Sequence, residues 1–204
     1  MNYKKQKYEA KPLPVKGDLT GMSLKSVEEH QKLYEGYVKK TNEIQEKLLV
    51  SDKSAANGVY SEVGELKRQE TFAVNGMKLH ELYFALLGGT GECKGTILEM
   101  IEKDFGSYDA WKEDFLATAM SSRGWAVLAF DWSDDHLHNY GADAQNVGAV
   151  WGCSPLVALD VYEHAYFMDH GTNRKAYIEA FMRGLNWDLP NSLVEAYGLD
   201  KAQK

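Results

Sequence analysis

Between Leu24 and Leu48 the apolar and aromatic residues are Leu24, Val27, Leu33, Tyr34, Tyr37, Val38, Ile44 and Leu48, and they keep returning to one side of a 3.6-residue period. This predicts a long amphipathic helix, whose apolar stripe must find a partner to cover it. The opposite side carries Glu28, Glu29, Lys32, Lys39, Lys40 and Glu43, a solvated charged face. Ser23 stands where an N-cap belongs. Ahead of it, residues 1–22 contain Pro12, Pro14, Gly17 and Gly21 and read as an extended arm. After a polar connection over residues 51–58, a second helix is expected from about Val59 to Leu87, with a break near Asn75-Gly76 and a left-handed end supplied by Gly88-Gly89. The two helices then form an antiparallel hairpin.

Beyond Gly89 the pattern changes twice. Residues 96–106 and 108–121 read as two shorter helices. Trp125 to Phe130 and a run near Leu137–Tyr140 read as strands joined around Ser133-Asp134-Asp135, and Pro155 to Leu159 as a third, buried strand. Helical pattern returns at about 173–185 and 190–198. Helices, then three strands, then helices make an α+β chain: an N-terminal helical hairpin over residues 1–88, then a domain over 89–204 with a three-stranded antiparallel sheet and helices. No internal repeat or low-complexity tract is visible.

Composition narrows the function classes. Of 204 residues 44% are apolar and 26% charged, an ordinary balance for a globular protein. The net charge of -7 leaves no global basic field for nucleic acid. The longest clean apolar run, Trp125 to Phe130, is far too short for a bilayer span. The basic start, Met-Asn-Tyr-Lys-Lys-Gln-Lys, runs into Tyr-Glu-Ala-Lys-Pro rather than an apolar segment, unlike a signal peptide. Cys93 and Cys153 form no Cys-x-x-Cys pair, which excludes a zinc ribbon or thioredoxin-type site and fits a reducing compartment. A cytoplasmic protein is expected.

Six histidines are present, and His136, His138 and His170 fall in polar turn-like stretches beside aspartates. His30 lies on the stripe of the first helix, and His80 sits within Met77-Lys-Leu-His-Glu-Leu-Tyr-Phe84, facing inward by spacing. A single inward histidine is ordinarily a hydrogen-bonded core residue. Two facing each other across a hairpin begin to suggest a metal. Asp160 closes an apolar strand, and a carboxylate there needs a cation or donors to offset its desolvation. His164 follows four residues on, with Glu163 beside it and tyrosines on both flanks. His30, His80, Asp160 and His164 together offer three imidazoles and one carboxylate. That set suits a redox-capable iron or manganese ion with an open position, and by ligand type alone also zinc. A 2-His-1-carboxylate iron oxygenase and a non-catalytic metal-binding chain are the alternatives.

Asp160-Val-Tyr-Glu-His-Ala-Tyr166 resembles the signature Asp-x-Trp/Phe-Glu-His-Ala-Phe/Tyr of the iron/manganese superoxide dismutase family, with Tyr162 where the family usually has Trp. Gly124-Trp125-Ala126, Tyr37-Val38 with Asn42, Phe105-Gly106-Ser107, Asn173-Arg174 and Asn186-Trp187 extend the resemblance over about residues 20–190. It implies disproportionation of superoxide to oxygen and hydrogen peroxide, with one ion per subunit held by His30, His80, Asp160 and His164. The family places a gateway tyrosine eight residues after the first ligand, whereas Tyr37 is seven after His30. Ungapped alignment on Tyr37 would put Glu29 in the ligand slot. Loss of one residue, such as a π-bulge, restores His30, and His30 is the reading taken. Tyr34 then replaces a histidine common one turn after the ligand.

The resemblance also assigns supporting residues. Tyr37 would gate entry and relay protons, and Trp125 would wall the site. Gln145, fifteen residues before Asp160, matches the side chain that bonds solvent at the ion. Iron-type members often supply that glutamine from four residues before the second ligand, where this chain has Gly76. Manganese is therefore the preferred ion and iron the other. Glu163 would pair across a dimer interface with the partner copy's signature histidine, so that Glu163, His164 and Tyr166 imply a homodimer or homotetramer. Lys32 and Arg174 are candidate steering charges for the anionic substrate.

Overall fold

Ser23 caps the first helix as expected. Its Oγ accepts from the Ser26 amide at 3.1 Å, and α1 runs from Leu24 to Val50. The structure, a computed structural model, describes residues 7–203, so the first six residues of the expected arm lie outside the described residues. The inward stripe of α1 includes Val27, His30, Tyr34, Val38, Ile44 and Leu48. Leu33 sits at the edge of that stripe and is 42% exposed, unlike its expected place in it.

The second helix, α2, spans Glu62–Ala85 and starts later than expected. Asn57 Oδ1 accepts from the Val59 amide at 2.8 Å, a local bond that competes with helix, and Val59 and Tyr60 stay exposed. Ser61 is the N-cap, its Oγ accepting from the Gly64 amide at 3.1 Å. A single helical turn of the tighter 3₁₀ type, Lys53–Ala55, occupies the connection. The expected break at Asn75-Gly76 is absent: α2 passes through, because both residues make contacts off the helix that hold it there. Asn75 Nδ2 donates to the Gln145 carbonyl at 2.8 Å, and Gly76 lies against the Tyr37 ring. The helix ends at Ala85 with Leu86 as cap, and Gly88, at φ 84°, turns the chain two residues later.

Helices α3 (Thr96–Phe105) and α4 (Tyr108–Ser121) follow, α3 ending on left-handed Gly106. Strands β1 (Trp125–Asp131), β2 (His136–Ala142) and β3 (Cys153–Asp160) form an antiparallel sheet in the order β2-β1-β3. In its register Trp125 pairs with Asp160 at the end of β3, and the Val161 amide donates to the Gly124 carbonyl at 2.8 Å. A register shift between Leu128 and Ala129 lets β1 bend over the core. The chain closes with α5 (Phe167–His170), α6 (Arg174–Arg183), α7 (Asp188–Tyr197) and α8 (Leu199–Ala202). The 3₁₀ turn Glu163–Ala165, α5 and α8 are too short to leave a periodic signal and were not expected.

This is the expected α+β architecture. One buried cluster runs from Val27 and Tyr83 through Trp111 and Phe130 to Phe181. It joins the hairpin to the sheet, so α2 lies directly against β3. That contact brings the inward face of the hairpin to the end of the buried strand.

Candidate metal centre

Four residues from three separate segments of the sequence meet where α1, α2 and the end of β3 converge. His30 comes from α1, His80 from α2, Asp160 from the last position of β3, and His164 from the turn that follows. One ligand-type atom from each lies within 4.8 Å of all the others. The three imidazole Nε2 atoms converge on one oxygen, Asp160 Oδ2, at 3.2 Å from His30, 3.2 Å from His164 and 3.4 Å from His80. His30, His80 and Asp160 are buried and His164 is partly open.

The protonation pattern tests whether a cation fits. His80 Nδ1 lies 2.7 Å from the Gly76 carbonyl, which can only accept, so the ring proton is on Nδ1. Nε2 is then a bare lone pair, and it has no hydrogen-bond partner. Burial disfavours the charged imidazolium and outweighs the attraction of Asp160, bringing the His80 pKa down to about 4. At neutral pH an unprotonated nitrogen therefore faces a carboxylate oxygen in a dry setting. Two acceptors so placed repel each other unless a cation lies between them. The donor set fits iron or manganese.

Asp160 is held from three sides. Its Oδ1 accepts from the Tyr162 amide at 2.9 Å, and its carbonyl accepts from the Tyr177 hydroxyl at 2.8 Å. Burial alone would raise its pKa, but hydrogen bonds from His164 and His30 overcome that and keep it below the ordinary range. Tyr177, in α6, and Tyr83, against the His30 ring, were missed in the sequence reading. They sit in ordinary helical patterns with no motif, and only packing brings their hydroxyls within 3.1 Å of each other.

The other expected residues divide. Trp125 is fully buried, its ring 5.1 Å from that of His80. Tyr37 is half-buried, 5.2 Å from His80, and burial raises its phenol pKa against the opposing Gln145 amide. Gln145 is 2% exposed, with Oε1 accepting from the Tyr162 hydroxyl at 3.2 Å. Six buried side-chain polar atoms lack a partner among the described residues, and three belong here: His80 Nε2, Trp125 Nε1 and Gln145 Nε2. Three orphaned groups in one place call for a partner that the described residues do not supply.

Glu163 is not brought to the cluster; it is exposed beside it. Tyr166 is buried, and its hydroxyl accepts from Arg174 Nε at 3.3 Å. Arg174 also donates to the Ser122 carbonyl at 2.8 Å, and Lys32 pairs with Glu29 at 2.6 Å, so both candidate steering charges are already engaged.

The one-residue shift in the first helix has a structural reason. α1 is α-helical throughout, with no π-turn, so His30 and Tyr37 are two regular turns apart and share the inner side. Glu29 points outward to Lys32. The iron oxygenase alternative is not favoured, since three imidazoles rather than two converge and, among the described residues, the sheet has three strands.

Comparison with known proteins agrees with this geometry. Residues 93–192 match the family described as iron/manganese superoxide dismutases, C-terminal domain. The chain is 45% identical over 184 residues to the superoxide dismutase [Fe] of Aquifex pyrophilus, covering 87% of this chain and 86% of that protein. It is 40% identical over 187 residues to the superoxide dismutase [Fe] of Cupriavidus metallidurans, covering 88% and 92%. It is 35% identical over 193 residues to superoxide dismutase [Mn] 2 of Haloferax volcanii, covering 92% and 96%.

Proposed function

This chain belongs to the iron/manganese superoxide dismutase family, and from that premise we propose that it is a superoxide dismutase, converting two superoxide ions and two protons to oxygen and hydrogen peroxide. The observation that carries the reading is the bare His80 Nε2 facing Asp160 Oδ2 among two further imidazoles. His30, His80, Asp160 and His164 would hold one ion. When bound, iron or manganese supplies the one-electron change between +3 and +2 that oxidises one superoxide and reduces the next.

The chain's own residues supply the rest. Tyr37, half-buried with its phenol proton retained at neutral pH, holds a proton near the cluster and narrows the entrance. Gln145 offers an amide hydrogen to the same space, and Trp125 excludes bulk water behind His80. Exposed Glu163, with partly open His164, would form the face on which a second copy docks, and buried Tyr166 would back it from inside. We further propose that residues 1–88 and 89–204 are the two domains, with the site drawn from both.

Manganese is the first choice of ion, because Gln145 occupies the space beside Gly76 that a glutamine from α2 would need. The iron-named relatives make iron the other outcome. Cytoplasmic residence belongs to this proposal and rests on Cys93 and Cys153 being unpaired. No helix among the described residues is long and apolar enough to cross a membrane.

The test is a purified sample with bound manganese, iron and zinc quantified and superoxide removal assayed on the same material. Activity proportional to manganese is the expected result. Activity proportional to iron keeps the function and overturns the preferred ion. Full occupancy without turnover overturns the function.

A further inference from the structure

The two ends of the Gln145 amide meet different surroundings. Oε1 accepts from the Tyr162 hydroxyl at 3.2 Å. Nε2 is buried with no partner in good hydrogen-bond geometry; it lies on the side of Gly76, where a Cβ would come within 3.1 Å of it, and of the Tyr37 phenol, whose pKa it draws down. The backbone at this point is anchored separately, by Asn75 Nδ2 on the Gln145 carbonyl at 2.8 Å. A carboxamide has two nearly isosteric orientations, so the end presented to the cluster depends on which end is held on the far side.

Tyr162 is itself held by the cluster. Its ring stacks on that of His164 at 5.3 Å and 17°, and its amide donates to Asp160 Oδ1. Its hydroxyl also lies 3.3 Å from the Asp143 carbonyl, and the one proton is shared between the two acceptors. At this place in the signature, Phe carries no donor and Trp carries its N–H at a different point on the ring.

We propose that Tyr162 is a positioning residue whose hydroxyl holds Gln145 with the amide nitrogen, rather than the oxygen, turned toward the four-residue cluster. A donor facing the cluster stabilises added negative charge there and an acceptor opposes it, so the amide's orientation sets the potential of the bound ion. The effect on potential rests on reading the cluster as a redox-metal centre. The orientation itself does not.

Two measurements test the proposal on Tyr162→Phe, which keeps the ring on His164. The first is hydrogen exchange of the Gln145 side-chain amide by NMR in the metal-free chain. Loss of the restraining hydrogen bond should speed it by about five- to tenfold, the equivalent of one net hydrogen bond. The second is the midpoint potential of the metal-loaded protein, compared in wild-type and Gln145→Ala backgrounds. Tyr162→Phe should shift it in the first background and leave it unchanged in the second. Unchanged amide exchange, or an equal shift in both backgrounds, overturns the proposal even in an active dismutase. An inactive protein that still shows the amide effect overturns the functional reading instead. If Tyr162→Phe does not fold, Gln145→Asn breaks the same contact from the other side, by pulling the amide out of reach. It is read by exchange of that amide, with the same speeding expected and an unchanged rate overturning the proposal.

Discussion

A methyl group on Gly76 would stand 2.9 Å from the ring of Tyr37. The glycine is therefore a spacing device between α2 and the tyrosine on α1. Tyr37 has little room to retreat, with Phe72 at 5.9 Å and His80 at 5.2 Å between ring centroids. Gly76→Ala gains about 1 kcal/mol of helix propensity. Overpacking against a clamped ring costs about 1–3 kcal/mol, so the strain wins. The expected outcome is a stability loss of about 1 kcal/mol and a reduced rate of superoxide removal, read by urea unfolding and assay. A variant more stable than its parent and fully active would show that the contact is slack.

Asp160 is the one carboxylate toward which all three imidazoles converge. Asp160→Asn keeps the shape and removes the charge. Metal affinity should fall by more than about 100-fold, beyond the 10- to 100-fold typical of a residue one step removed from the ion. Metal content after dialysis against a competing chelator reads this directly. Retention of a full equivalent of metal would remove Asp160 from the ligand set.

The metal-free protein should lose stability in mild acid. His80 is held down at about 4, against an ordinary 6.5. Between those values the unfolded chain binds a proton that the folded chain refuses. The stability from this residue is therefore fully present above about 6.5 and declines as pH falls toward 4. Its slope approaches about 1.4 kcal/mol per unit. Asp160, also lowered, extends the loss further into acid. Urea midpoints across this range test it; a flat profile between pH 6.5 and 4 would contradict a neutral buried His80.

Glu163, exposed next to His164, is the residue on which the proposed dimer depends. If it pairs with the histidine of a second copy, Glu163→Ala should weaken self-association by at least about 30-fold, the equivalent of about 2 kcal/mol. Sedimentation at several concentrations measures it. Identical profiles for both proteins would place the interface elsewhere.

Tyr34 ties the arm to the hairpin. Its hydroxyl accepts from the Lys11 amide at 2.8 Å and donates to Glu81 Oε1 at 3.0 Å, while Lys11 Nζ lies 2.6 Å from Glu81 Oε2. Tyr34→Phe removes the hydroxyl from between two part-buried groups and should cost about 1–3 kcal/mol. Limited proteolysis should then cut first within residues 7–22. Unchanged stability and unchanged cleavage would show the arm to be held by other contacts.

Where side chains repeat with a period, local sequence was sufficient. The stripe of α1, the apolar run of β3 and the capping Ser23 follow from backbone geometry that each segment carries within itself. Three of the four candidate ligands were legible for a related reason: imidazoles on an apolar stripe (His30, His80) and a carboxylate ending a buried strand (Asp160) are costly choices, and cost is visible locally, whereas His164 was legible from its place in the segment that follows Asp160. What local sequence misjudged was decided by distant partners. α2 runs unbroken through Asn75-Gly76 because Gln145 and Tyr37 receive those residues. Tyr177 meets the Asp160 carbonyl only once α6 has folded back beside the end of β3. The single acceptor toward which three imidazoles converge, and the hydroxyl of Tyr162 on Gln145, exist only once the hairpin has closed on the sheet. Sequence determined which groups are present and which face of each element they occupy. The tertiary structure decided which lone pairs and protons face each other, because the contacts within the cluster join residues up to 130 positions apart.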